Sequence, residues 1–162
     1  MTMDMMDEAF ILIGVEGESK EDILARMAEN LVKLGVVKES YIAAVIEREQ
    51  AYPTGLPTGG CSVAIPHTDI EHVNRKAISI GVLKQPVRFG IMGEEEETTP
   101  VELVFMLAMD QKHSQLKLLT RLMQVIQDQS MLIALSHETS PASIKELMNA
   151  VLQFETQGGP LA

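Results

Sequence analysis

Tryptophan is absent from this chain, and aromatic residues make up only 4% of it. The core must therefore be built from Leu, Ile, Val, Ala and Met. Hydrophobic residues still account for 46% of the 162 positions, which excludes a disordered chain and suits one domain with a substantial core. Basic residues are in deficit as well, 13 Lys and Arg against 23 Asp and Glu, for a formal net charge of -10. A reader of the phosphate backbone needs a basic face, so nucleic acid is not the expected partner, although a local basic patch is left open. A single cysteine, Cys61, can close no internal disulfide. No charged segment followed by an apolar run opens the chain, and no apolar run approaches the roughly 18 residues that span a bilayer. We expect a soluble protein of the reducing cytoplasm, with one domain over residues 1–155 and a flexible tail over 156–162.

Strand-like and helix-like periods alternate along the chain, which predicts an α/β (α+β) sandwich. Residues 9–13 form a short apolar run closed by Gly14, the expected first strand. Ser19 then opens a helix with Ile23, Leu24, Met27, Leu31 and Leu34 on one face, and Gly35 stops it. A second helix is expected over 39–49, with Tyr41, Ile42, Val45 and Ile46 inward and Arg48 in its last turn. Residues 52–60 carry two prolines and three glycines and read as a loop without regular structure. Residues 77–84 alternate as a half-buried strand, and 101–109 are apolar almost throughout, as in a strand covered on both faces. These two should form the centre of the sheet. The acidic run 93–98 between them reads as a solvated loop. Helices follow with Leu116, Leu119, Leu122, Met123 and Ile126 on one stripe, over 130–135, and from Ser140-Pro141 onward.

The chemistry concentrates at Ser62-Val63-Ala64-Ile65-Pro66-His67, an apolar run that ends at a proline and delivers a histidine to a strand's end. An imidazole with an ordinary pKa of about 6.5 is partly uncharged near neutrality and nucleophilic at one ring nitrogen. His113 follows the 101–109 strand at a helix start. Ligands gather beyond the carboxyl ends of parallel strands, so the two histidines meet if their strands are neighbours. A helix N-terminus there would stabilise phosphate, and Arg48 could clamp the same group if the loop returns it to the site. Neutral histidine beside an anion site suits phosphoryl transfer.

These residues resemble the enzyme IIA components of the bacterial sugar phosphotransferase system, of the fructose and mannitol type. The resemblance rests on Glu47-Arg48-Glu49 before a Pro/Gly loop, on Val63-Ala64-Ile65-Pro66-His67, and on His113 after an apolar strand. It runs from about Asp7 to Phe154. Tyr52-Pro53-Thr54-Gly55-Leu56 and Gln115-Leu116-Lys117-Leu118-Leu119 look most like the galactitol branch. The resemblance implies a mixed sheet between helices. It also implies a phosphocarrier whose His67 takes a phosphoryl group on Nε2 from the phosphohistidine of HPr and hands it to a cysteine of an enzyme IIB. His113 and Arg48 are the matching supporting positions, and neither a cofactor nor a metal is called for.

Plainer readings stand beside these. His67 could be a turn histidine, His113 an ordinary first-turn residue, and Arg48 a surface cation at a helix C-terminus. His72 and His137 are expected to face solvent, and Cys61 to be a small buried hydrophobe. Asp69 and Glu71 with His67 and His72 could imitate a metal site, but a His spacing of five fits neither a strand face nor a helix turn well. Three functions thus remain open: a transport phosphocarrier, a regulatory domain of the same fold whose phosphorylated His67 changes binding to a protein target, and a metal-dependent hydrolase using His67, Asp69 and His72. An apolar ring of Ile65, Leu56 and Ile70 around His67 is the expected docking surface.

Overall fold

A computed structural model describes residues 5–59, 61–110 and 116–157. A five-stranded mixed sheet runs through the middle of the domain, built from β1 (Ile11–Val15), β2 (Gly55–Leu56), β3 (Ser62–Ala64), β4 (Ala77–Gly90) and β5 (Thr98–Ala108), in the order β1-β4-β5-β3-β2. The pair β4–β5 is central, as expected, and forms a long antiparallel hairpin. To it are added β1, parallel to β4, and β3, parallel to β5. Helices α1 (Lys20–Lys33) and α2 (Ser40–Ala51) pack on one face of the sheet. Helices α3 (Leu116–Gln127), α4 (Gln129–Ser136) and α5 (Pro141–Gln157) pack on the other. Among the described residues, no helix is long and apolar enough to cross a membrane.

The two-sided burial follows from strand periodicity. Successive side chains of a strand point to opposite faces, so Ile78, Ile80 and Val82 of β4 join Leu103, Phe105 and Leu107 of β5 in the core beneath α3–α5. Ala77, Leu83 and Phe89 join Val104, Met106 and Ala108 in the core beneath α1 and α2. The helix ends obey their capping residues. Ser19 Oγ accepts from the Asp22 amide at 3.2 Å, which satisfies a first-turn donor of α1. At the other end Gly35 takes a positive φ of 76°, and the amides of Val36 and Gly35 return to the carbonyls of Leu31 and Val32, a closed C-terminal turn.

Three sequence expectations are corrected. The first strand starts at Ile11, because residues Glu8–Phe10 form a single 3-10 turn whose Ala9 amide is capped by the Asp7 side chain at 2.9 Å. It also continues through Gly14 to Val15, pairing with β4 on both sides of that glycine. The strand expected over 77–84 extends to Gly90, and residues 77–83 are buried on both faces, because helices cover the sheet from each side. Lastly, the 52–60 segment contains β2, whose two residues pair with Val63 and Ala64. The 93–97 run stays exposed. Helix α5 reaches Gln157, two residues into the expected tail.

Gly55 shows why this loop must contain glycine. It pairs with Ala64 on one side, bridges Ile91 on the other, and a Cβ placed on it would collide with the carbonyl oxygen of Gly90. The backbones meet so closely that only a residue without a side chain fits. Gly55→Ala is expected to destabilise the domain by about 1–3 kcal/mol, a fall of about 3–10 °C in Tm for a chain of this size. A thermal melt within a degree of wild type would contradict that close approach.

Candidate active site

His67 stands three residues beyond the end of β3, in the segment that leaves the sheet. Because β3 and β5 are parallel neighbours, His67 emerges at the carboxyl end of both strands, which is the condition set above for a shared site. The segment is held to the sheet by its backbone: the Leu107 amide of β5 donates to the Pro66 carbonyl at 3.0 Å. The Leu107 carbonyl in turn accepts the hydroxyl of Tyr41, a wholly buried residue of α2, at 2.7 Å. One residue of β5 thus ties the histidine segment and α2 to the same point.

The imidazole itself is half-buried, and its Nδ1 lies 2.9 Å from the carbonyl oxygen of Ile65. A carbonyl can only accept, so Nδ1 carries the proton in this bond and Nε2 holds the lone pair when the ring is neutral. Pro66 makes the arrangement durable. Its nitrogen has no hydrogen, so the Ile65–Pro66 peptide presents a carbonyl and no competing donor. Nε2 has no hydrogen-bond partner among the described residues.

Behind this bond lies a buried polar network that sequence reasoning missed. Glu49, 1% exposed, accepts two hydrogen bonds from Thr54, from its amide to Oε2 and from its hydroxyl to Oε1, both at 2.8 Å. Thr54 Oγ1, its proton spent on Glu49, accepts the Ile65 amide at 3.1 Å. Every donor in the chain has an acceptor when Glu49 is ionised. Burial pushes the Glu49 carboxyl above its usual range, and the two Thr54 hydrogen bonds and the charge of Lys20 pull it back. Hydrogen bonds to a charged group contribute about 1.5–3 kcal/mol each, against the several kcal/mol that removing a carboxylate from water costs. The opposing effects are of similar size, and burial wins. The signal for Glu49 was present in the sequence: it continues the stripe of Tyr41 and Val45 at steps of four, the buried face of α2.

Arg48 projects to the side of α2 next to that of Glu49. Its Nη1 lies 3.7 Å from Asp69 Oδ1, and its guanidinium carbon lies 5.0 Å from the centroid of the Tyr52 ring. Its Nε is buried with no hydrogen-bond partner among the described residues. Arg48, Glu47, Tyr52, Thr68, Asp69 and His72 line one groove of about 430 Å³, which places Arg48 beside the two residues that follow His67, while His67 itself is not among the lining residues. The Arg48 side chain is 38% exposed, so guanidinium N–H groups can meet an anion in the groove. His113 lies outside the described residues.

His72 is partly exposed and lines the groove, with its Nδ1 2.8 Å from Ser40 Oγ. His137 is exposed at the end of α4. Among the described residues no group of three or more His, Cys, Asp or Glu is placed to hold a metal ion; Asp69 faces Arg48, and His72 faces Ser40. Cys61 is 3% exposed, and burial followed by the charge of Glu102 pushes its thiol up to about 11, which leaves it an inert core residue. Ile65 is buried, so the expected apolar docking ring loses one member, whereas Leu56 and Ile70 are partly exposed.

These features define an α/β domain that presents an imidazole at the carboxyl ends of two parallel strands. Residues 4–151 match the family model for the phosphoenolpyruvate-dependent sugar phosphotransferase system, EIIA 2, and the chain belongs to that family. It is 32% identical over 142 residues to the mannitol-specific EIICBA component of Escherichia coli, covering 85% of this chain and 21% of that protein. It is 28% identical over 114 residues to the galactitol-specific EIIA component of Escherichia coli, covering 70% of this chain and 75% of that one. The chain therefore spans about a fifth of the mannitol relative and three quarters of the galactitol one. Among solved structures it is similar to the Escherichia coli complex of the mannitol enzyme IIA with phosphorylated enzyme IIB, with a TM-score of 0.71 and 29% identity, over 88% of this chain and 95% of that one. EIIA components are phosphotransferase parts, so phosphoryl transfer is the chemistry of the family.

The raised pKa of Glu49 makes stability depend on pH in a definite sense. A folded state that binds the Glu49 proton more tightly than the unfolded chain gains stability as pH falls through the raised folded pKa toward the ordinary value of 4.5. That gain is lost again as pH rises. Relative to Glu49→Gln, wild type should therefore gain thermal stability as pH is lowered from neutrality through that window. Melting curves of the two proteins that stay parallel over the window would contradict the burial of an ionised Glu49.

Proposed function

We propose that the chain is the phosphocarrier of a sugar phosphotransferase system, with His67 as the residue that carries the phosphoryl group. The observation that supports it most is the Nδ1 hydrogen bond to the Ile65 carbonyl, which reserves the Nε2 lone pair for attack. In the first step Nε2 attacks the phosphorus of the phosphohistidine of HPr; a new N–P bond forms, the donor's N–P bond breaks, and its electron pair returns to the donor imidazole. As Nε2 is phosphorylated, positive charge grows on the ring and the Nδ1–H···O=C bond strengthens, so the Ile65 carbonyl stabilises the transition state more than the ground state. In the second step a cysteine thiolate of an enzyme IIB attacks the same phosphorus and His67 is restored.

Arg48 is assigned to hold the oxygens of the phosphoryl group in transit, a role that its groove position beside Thr68 and Asp69 and its partly exposed side chain support. His113 is assigned to orient His67 or the phosphoryl group, on the strength of motif order and of the parallel pairing that directs both strand ends the same way. The place of work is the cytoplasm, and the transport branch is galactitol-type, as residues 52–56 and 115–119 resemble it. The sugar itself is met by the membrane component.

Incubation with phosphoenolpyruvate, enzyme I and HPr, followed by intact mass, tests this reading. One acid-labile phosphate that requires HPr and is absent from His67→Ala is expected. His113→Ala should still accept phosphate, about a hundredfold more slowly, as when one preorganised donor is removed. No uptake by folded wild-type protein would contradict the carrier role. Complete loss in both variants would contradict the division between carrier and orienting histidine.

A further inference from the structure

The inference rests on the reading of His67 as the phosphoryl carrier and concerns how that histidine is kept ready. We infer that Glu49 and Thr54 are positioning residues: through the Ile65 backbone they hold the carbonyl that fixes the His67 tautomer. Neither touches the imidazole. Glu49 anchors both the amide and the hydroxyl of Thr54, Thr54 Oγ1 receives the Ile65 amide, and the same residue's carbonyl receives His67 Nδ1.

The geometry argues for function beyond packing. Ile65 follows the last residue of β3 and forms no ladder pair with a neighbouring strand. Its amide would otherwise be a buried orphan donor, and a valine or alanine at 54 would leave it so. A strand residue could have met this need by pairing with its neighbour, but that would have carried β3 on and turned residue 67 into the sheet. A side-chain acceptor ends the ladder while still fixing the backbone. The anchor must not drift, and a threonine whose proton is claimed by a buried carboxylate has only one way to face: its lone pair is directed at Ile65. An unanchored hydroxyl could rotate and donate elsewhere. The Ile65 carbonyl would then be free to move, Nδ1 would lose its acceptor, and the ring would divide between its two tautomers, one of which has no lone pair on Nε2.

The test compares Thr54→Val, which keeps the shape and removes the hydroxyl, with Thr54→Ser, which restores it. Two quantities are read: the tautomer of unphosphorylated His67 from its imidazole nitrogen NMR shifts, and the rate of phosphoryl acceptance from phosphorylated HPr. Thr54→Val should move His67 from the Nδ1–H form toward a tautomer mixture and slow acceptance about tenfold, in line with the loss of one hydrogen bond in the transition state. Thr54→Ser should return both to within about twofold of wild type. A folded Thr54→Val protein with an unchanged tautomer and an unchanged rate would overturn the inference, as would a loss of rate that serine does not rescue. Should the valine variant not fold, Glu49→Gln carries the same two readouts, since it leaves Thr54 with one acceptor too few. The tautomer measurement needs no phosphoryl donor. If wild type fails to accept phosphate, the carrier reading falls, and the nitrogen shifts alone still decide whether Thr54 orders the ring.

Discussion

A single hydrogen bond, from His67 Nδ1 to the carbonyl of Ile65, is the point on which the rest of this structure converges. It joins two residues only two apart in the chain, so it is geometrically inexpensive, yet it settles which imidazole nitrogen is available for chemistry. Most of the surrounding architecture can be understood as keeping that carbonyl in place. Pro66 removes the competing donor. The Leu107 amide of the central strand donates to the next carbonyl, that of Pro66, and Thr54 Oγ1 accepts the amide of Ile65.

Helix α2 links these supports. Its buried stripe supplies Tyr41 to the Leu107 carbonyl and Glu49 to Thr54, while its adjoining side supplies Arg48 to the groove beside Asp69. The histidine segment is thus referenced to a rigid helix and to the sheet's middle strand at once, although it belongs to a three-residue strand near the sheet's edge. Functional side chains are held most accurately when their supporting shell is itself packed and hydrogen-bonded, and a three-residue strand alone would not provide that. Charge is arranged to the same end. Glu49 is buried and spoken for, whereas Arg48 retains a buried nitrogen without a partner among the described residues.

Much of this was legible in the sequence where local chemistry decides. Ser19 and Gly35 marked the ends of α1, the apolar run 101–109 announced a doubly covered strand, and Pro66-His67 announced a histidine delivered from a strand's end. What was not legible depended on distant partners. The second face of β4 reads as small or polar because Ser79 gives its hydroxyl to the Phe10 carbonyl and Gly81 makes room for Met27, whose sulfur would lie 2.7 Å from a Cβ there. Neither neighbour is visible from residues 77–84 alone. The two-residue β2 exists only because Val63 and Ala64 lie alongside it. Glu49 was overlooked for another reason: a carboxylate is assigned to water by default, and only its place on the Tyr41–Val45 stripe argued otherwise. Of the residues proposed for the site, His67 and Arg48 stood out in the sequence, but the pair that stands behind Ile65 did not.

The most direct test of the account is the position of the phosphoryl group on His67, read from nitrogen–phosphorus coupling in protein carrying nitrogen-15 histidine after phosphorylation through HPr. The account predicts coupling to Nε2, with Nδ1 still protonated and hydrogen-bonded. Coupling to Nδ1 would contradict it, because that nitrogen could then not be the one held by Ile65.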